Sequence, residues 1–234
     1  MKNIFLLLSL CGVFFCTSCC VQRFNRMSVT GRESISQSLF NDKDRTISED
    51  DIQKLLNGHF ALPDTLRVAV YKFGTTSLTY NRYYSNYADE LSVKAQQLFM
   101  DTLSILLQGN SHVKRVNIIP TLMLSSQPTI TQLREAAVRL QCDILLVFAA
   151  TSDIYYKPKV FKKDETKAYA TTEAFVMDIR TGLVPFSTLV TKDVLTQQLP
   201  KEEEPEMKRR AQNEAIVKTL SEIGEKVNMF LKKQ

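Results

Sequence analysis

The chain carries few of the residues from which active sites are built. Its two histidines, His59 and His112, stand near the edges of predicted elements, away from any nucleophile or ligand set. Of five cysteines only Cys142 lies beyond residue 20, which excludes an internal disulfide framework. The apolar setting of Cys142, RLQCDILLVF, is that of a buried, inert thiol. With no His/Asp/Glu cluster at metal spacing, no zinc site is expected. The seven glycines are scattered and no Gly-rich loop follows a strand, which excludes phosphate cradling of the Rossmann or P-loop kind. Asp143, at the head of an apolar run, reads as a strand-start residue capping the preceding turn rather than as a working carboxylate. No catalytic residue, metal or cofactor is therefore expected, and the chain does not read as an enzyme.

Charge of one sign is also scarce. The net charge is +5, and Lys2 is the only charged residue of the first eighteen, so removing them leaves +4. That balance lacks the basic clustering of a nucleic-acid binder, and no nucleic acid is expected as a partner. Long apolar runs are missing as well. The longest spans residues 4–15, short of the roughly 20 apolar residues that a membrane-crossing helix needs.

What is present begins with that run. MKNIFLLLSLCGVFFCTSCC has Lys2 as a short positive region, then the apolar stretch, then small Thr17 and Ser18 before Cys19 and Cys20. This order resembles the signal of bacterial lipoproteins. The resemblance implies cleavage after Ser18 and a palmitate-bearing lipid on Cys19, with Cys20 as the alternative. Cys16 departs from the pattern, standing where Leu is usual. The expected location is the cell envelope, anchored in the outer membrane by the N-terminal lipid. Val21, Gln22 and Arg23 carry none of the acids found after the lipidated cysteine of some surface-exported lipoproteins, which favours the periplasmic face. Residues 1–18 thus read as signal peptide, 19–46 as a polar tether of at most about 85 Å, and 47–234 as a single α/β periplasmic domain. Once the signal is removed, about 216 residues with an ordinary hydrophobic fraction are left, enough for one core.

In the domain, Ser48 with Glu49, Asp50 and Asp51 predicts a helix start whose face is Ile52, Leu55 and Leu56. Residues 66–73, LRVAVYKF, alternate as a strand. Residues 85–108 predict a helix with Leu91, Ala95, Leu98, Thr102, Ile105 and Leu106 on one face. A strand over 113–119, a helix over 129–141 and a doubly buried strand over 143–150 follow. This βαβαβ order predicts a parallel core with right-handed crossovers. Residues 151–161, 166–179 and 183–194 read as further strands in an antiparallel extension, with a tight turn at 180–182. A closing helix from Pro205 packs Ile216, Leu220, Ile223, Val227 and Phe230 on the sheet. The fold class is therefore α/β, a two- or three-layer mixed sheet with a C-terminal helix on it.

Two stretches suggest recognition. Tyr80, Tyr83, Tyr84 and Tyr87 offer rigid amphipathic area suited to a partner, and their spacing also fits a helical stripe covering the domain. Tyr155, Tyr156, Lys157, Lys159, Lys162 and Lys163 interleave aromatic and basic residues. They suit anionic envelope polymers or lipid head groups, or simply a solvated hairpin tip that protects an edge.

The order LRVAVYKF, helix, DILLVFAATSDI, FVMDIRTGLV and closing helix resembles a group of periplasmic lipoprotein domains. The group includes the curli-secretion lipoprotein and the lipoprotein activators of penicillin-binding proteins. Val176, Met177, Asp178, Ile179, Arg180, Thr181 and Gly182 match its aliphatic-Asp-x-x-Thr-Gly turn. The resemblance covers residues 60–232 and implies a non-enzymatic module that docks or regulates an envelope assembly, in secretion or wall synthesis, with an envelope protein as partner. The alternative is an oligomeric subunit of an outer-membrane export apparatus, assembling through sheet edges or the tyrosine segment. Paired alternating segments of the 9–11 residues that a membrane β-barrel wall needs are not expected.

Overall fold

The computed structural model describes residues 48–74, 85–126, 128–157 and 165–232, with backbone alone at 85–92, 156 and 157. A first helix, α1 (Glu49–Leu56), opens on Ser48, whose hydroxyl accepts from the Asp51 N–H at 3.2 Å. The acids of its first turn complement the helix dipole. Its expected apolar face is not part of the core: no residue of α1 is buried, and Leu56 is 74% exposed.

The sheet has five strands in the order β2-β1-β3-β4-β5. Strand β1 (Leu66–Lys72) lies parallel to both β2 (Val113–Ile118) and β3 (Ile144–Lys157), while β3 to β4 (Glu165–Asp178) and β4 to β5 (Phe186–Gln197) are antiparallel. Helix α2 (Ser85–Gln108) crosses from β1 to β2 and α3 (Ile130–Arg139) from β2 to β3; α4 (Glu204–Lys232) closes the chain. This is the mixed α/β fold expected, with a parallel core and an antiparallel extension.

The two faces of the sheet are covered unequally. On one, α2 and α4 enclose the larger core, in which Leu66, Val68, Val70, Ile144, Leu146 and Phe148 meet Phe99, Leu103, Ile216 and Leu220. On the other, α3 covers β1 and the adjoining ends of β3 and β4 through Leu133, Ala136 and Ala137 against Ala69, Leu145, Val147 and Met177. The domain is therefore three layers deep around β1 and two layers deep over the rest of β4 and β5. The start of α3 is pinned by a capping box. The Thr129 hydroxyl accepts from the Gln132 N–H at 3.4 Å, and the Gln132 side-chain oxygen accepts from the Thr129 N–H at 3.2 Å.

Three expectations are corrected. Residues 143–150 and 151–161 are not separate strands: β3 runs unbroken for 14 residues. The change of composition near Ala150 marks the loss of cover on one face, not the end of a strand. For the same reason long paired alternating segments do exist, since β3 and β4 are 14 residues each, although their apolar side is occupied by α4. The buried stripe of α2 is also shifted by one position. Ala95, Phe99, Met100, Leu103 and Leu107 are buried, whereas Leu98 is 45% exposed and Ile105 69%.

Helices α2 and α4 approach closely at Gly224. A Cβ added there would lie 2.8 Å from Leu106 Cδ1 and 3.1 Å from Leu106 Cβ. Asn110 and Asn228 join the two helices nearby, with the Asn228 amide donating to the Leu106 carbonyl at 2.8 Å.

Candidate functional site

Strand alternation sends the even-numbered side chains of β3, β4 and β5 toward α4 and the odd-numbered ones to the opposite face. Beyond Val147 and Phe175 no helix covers that second face among the described residues. Register sets out rows across it. Thr151, Thr171 and Thr191 form one, with the Thr171 and Thr191 hydroxyls 2.9 Å apart. Asp153, Tyr169 and Asp193 form the next, followed by Tyr155, Lys167 and Leu195.

This face carries Tyr155 at 63% exposure, Tyr169 at 44%, Leu189 at 57% and Leu195 at 62%. Lys167 sits 4.9 Å over the Tyr169 ring and 2.9 Å from the Asp193 carboxylate. Those contacts raise the Lys167 pKa, Asp193 first and Tyr169 second, and the Lys167 hydrogen bond lowers that of Asp193. The result is a flat, mixed surface of aromatic, apolar and charge-paired groups. Such a surface suits recognition of a folded partner rather than enclosure of a small molecule.

Of the residues singled out in the sequence, Tyr155 lies on this face, opposite Lys167 in register. Tyr156 pairs with Thr166 and Lys157 with Glu165 at the far end of the same hairpin. Lys159, Lys162 and Lys163 lie outside the described residues, as do Tyr80, Tyr83 and Tyr84; Tyr87 is in the first turn of α2. Sequence reading missed Tyr169, Leu189 and Leu195. The signal was there in β4, where small Thr166, Ala168, Ala170, Thr172 and Ala174 alternate with Lys167, Tyr169, Thr171 and Glu173, dividing the strand into a packed face and an open one.

The opposite end of the sheet is a polar clasp. Asp143 is buried and accepts from the Arg67 backbone N–H at 2.9 Å, from Nε at 3.0 Å and from Nη2 at 2.8 Å. It does not cap the preceding turn as expected; it ties β3 to β1. The Arg67 hydrogen bonds hold its carboxyl below the ordinary value despite burial. Asp178 caps the matched turn instead, accepting from the Arg180 and Thr181 N–H groups at 3.2 Å each and from the Thr181 hydroxyl at 2.5 Å. Gly182 closes it at φ +79°. Arg134 of α3 donates to the Ile179 carbonyl at 2.5 Å and to the Arg180 carbonyl. Every charged group in this clasp has a structural partner.

Cys142 is buried beside it, 3.2 Å from the Asn117 amide, and burial pushes the thiol pKa up. A thiol so placed is a poor nucleophile. Among the described residues no group of three His, Cys, Asp or Glu side chains could hold a metal ion. No described helix is long and apolar enough to cross a membrane. A shallow groove of about 550 Å³ runs between α2 and α4, lined by Leu98, Arg209, Arg210, Asn213 and Val217 among others.

Lys72 is buried at the carboxyl end of β1, and desolvation lowers its pKa to about 8. Between that pH and the ordinary lysine value of 10.5 the unfolded chain holds a proton that the folded chain has released. Stability is therefore expected to rise with pH across this window. Urea titrations at several alkaline pH values check it: the rise disappears in Lys72→Met if the assignment is right and persists if another group is responsible.

No family model and no curated protein matches the chain. Solved structures are similar in outline. Over 73% of its length the chain is similar to 87% of a neuraminyllactose-binding hemagglutinin homolog from Helicobacter pylori, at 12% identity and a TM-score of 0.41. It is also similar to the PelC dodecamer from Paraburkholderia phytofirmans, with 17% identity, a TM-score of 0.34, and 69% and 89% of the two chains covered. A minor lipoprotein from Acinetobacter baumannii shows 11% identity and a TM-score of 0.34, over 70% of this chain and 92% of that one. At these scores the likeness assigns no role to any residue.

Proposed function

We propose that the chain is a lipid-anchored, non-enzymatic interaction module of the bacterial cell envelope that binds an envelope protein through its sheet. The observation that carries this reading is the open face of β3, β4 and β5, where Tyr155, Tyr169, Leu189 and Leu195 stand exposed in register. Aromatic and aliphatic groups on a sheet, with the Lys167–Asp193 ion pair set among them, are what a protein interface presents. The anchor rests on the signal-like residues before Cys19, and the polar stretch that follows supplies reach from the outer membrane into the periplasm. The resemblance of residues 66–73, 143–154 and 175–184 to the curli-secretion and penicillin-binding-protein-activator lipoproteins favours secretion or wall assembly as the process served. The alternative, an oligomeric subunit of an export apparatus, draws support from the edge of β5, beyond which no described strand pairs.

Fractionation and crosslinking test the proposal together. Wild-type chain is expected with the membranes and Cys19→Ala in the soluble fraction. If Cys20 carries the lipid instead, Cys20→Ala is the variant that moves. Soluble wild type would remove the anchor from the proposal. Crosslinking in cells is expected to recover an envelope protein, with the yield reduced in Tyr155→Ala/Tyr169→Ala; an unchanged yield would displace the binding surface from this face.

A further inference from the structure

The two edges of the sheet differ in a way that bears on assembly. Strand β2 is short, carries adjacent Lys114 and Arg115, and meets β1 with a register shift between Leu66 and Arg67. Short length, cations and a bulge are the usual means of blocking strand addition at an edge. Strand β5 has neither the short length nor the bulge. Its 12 residues contain no proline or glycine, their pairing with β4 is unbroken from Phe186 to Gln197, and no described element lies beyond them. Its one lysine, Lys192, does not guard the edge, because it is drawn back onto α4 by Glu222 at 2.5 Å.

From this edge we infer that β5 pairs with β5 of a second copy of the chain, antiparallel about a two-fold axis through Lys192. Such an axis, perpendicular to the sheet, keeps both helix layers on one side, so only residues of the same face can meet. Centring on Lys192 sets Leu189 opposite Leu195 of the second copy on the open face, and Val190 opposite Val194 on the helix face. Thr191 then meets Asp193, and Thr188 meets Thr196. Each of these pairs occurs twice by symmetry. Moving the axis to Thr191 would set Leu189 against Asp193 and Val190 against Lys192. Moving it to Asp193 would bring the two Asp193 carboxylates together and set Leu189 against Gln197. The Lys192 register is the one of the three that matches apolar with apolar on both faces. Its only like-charge contact is Lys192 with its own copy, and Glu222 screens that contact on each side.

Pairing of this kind joins the two sheets into one, sets Leu189 beside Leu195 of the other copy, and leaves the open face with Tyr155 and Tyr169 free for another partner. The edge geometry carries it whichever process the module serves, so it stands or falls apart from the anchoring and from the identity of any other partner.

Sedimentation of the full-length chain in detergent tests it. Wild type is expected to be a dimer. Leu189→Lys alone and Leu195→Glu alone, each facing an opposite charge on β4 (Glu173 and Lys167), are each expected to weaken the dimer at least about tenfold, because each sets a charge against a leucine of the other copy. The double variant Leu189→Lys/Leu195→Glu is expected to regain it, since opposite charges then face each other twice. Both positions are exposed, and circular dichroism should show the fold unchanged in all three. A monomeric wild type would overturn the inference. So would a dimer indifferent to the single substitutions, as expected if two anchors merely shared a micelle, or a double variant no better than the singles.

Discussion

Phe99→Ala is expected to lower the unfolding free energy by about 3–5 kcal/mol, the usual loss when a buried aromatic side chain is truncated and leaves a cavity. Phe99 is fully buried, within the cluster that joins α2 to the sheet and to α4. The neighbouring Leu98 is 45% exposed, and Leu98→Ala should cost about 1 kcal/mol or less. The pair matters more than either value, because hydrophobic periodicity alone placed Leu98 on the inner face. Urea unfolding of both variants reads the difference as a shift of midpoint at constant m-value. A larger loss for Leu98→Ala than for Phe99→Ala would mean that α2 is rotated from the orientation described.

The second large effect belongs to Asp143. Asp143→Ala leaves the Arg67 guanidinium and backbone N–H without the acceptor they share at 2.8–3.0 Å. Removing one partner of a buried, hydrogen-bonded ion pair costs more than the pair itself contributes. Arg67 is about one-third exposed and keeps some hydration, so the expected loss is about 2–3 kcal/mol rather than the upper range for a fully buried pair. A pH dependence follows. The folded-state pKa of Asp143 is depressed, so its contribution is present above the unfolded value of 3.8 and lost as pH falls through the folded one. Acid titration of the unfolding free energy should therefore be shallower in Asp143→Asn than in wild type. Parallel curves would show that the carboxylate is not held in its charged form by Arg67.

These two cases also mark what could be read from the chain alone. Strand β3 was legible because burial on both faces makes a continuous apolar run, as in DILLVFAA, and β1 because LRVAVYKF alternates. Ser48 announced its helix through a side chain that accepts from the first turn. The phase of α2 was not legible, because Leu98, Phe99, Met100, Leu103, Ile105, Leu106 and Leu107 surround the helix with apolar groups. Only tertiary contact with the sheet and α4 selects among them. The length of β3 was hidden for a related reason: at Ala150 its cover changes from two faces to one, and the change of composition resembled a boundary. Arg67 and Asp143 are 76 residues apart and belong to no periodic pattern, so their pairing had no local signal. The open face was encoded by two-residue alternation in β4, with small residues turned inward and Tyr169 turned out. Tyr155 was noticed for its aromatic and basic neighbours, but the row it belongs to exists only once three strands are in register.

The missing side chain at Gly224 reaches further than its own contact. Leu106 lies in the last turn of α2, against α4 at the point where a single added carbon would collide with it. Helix α2 is 24 residues long, so a small change of tilt at Leu106 becomes a large displacement at Ser85, where the helix begins after the tyrosine-rich segment. A residue near the carboxyl end of the chain thus acts as the fulcrum that sets the tilt of a helix more than a hundred residues earlier.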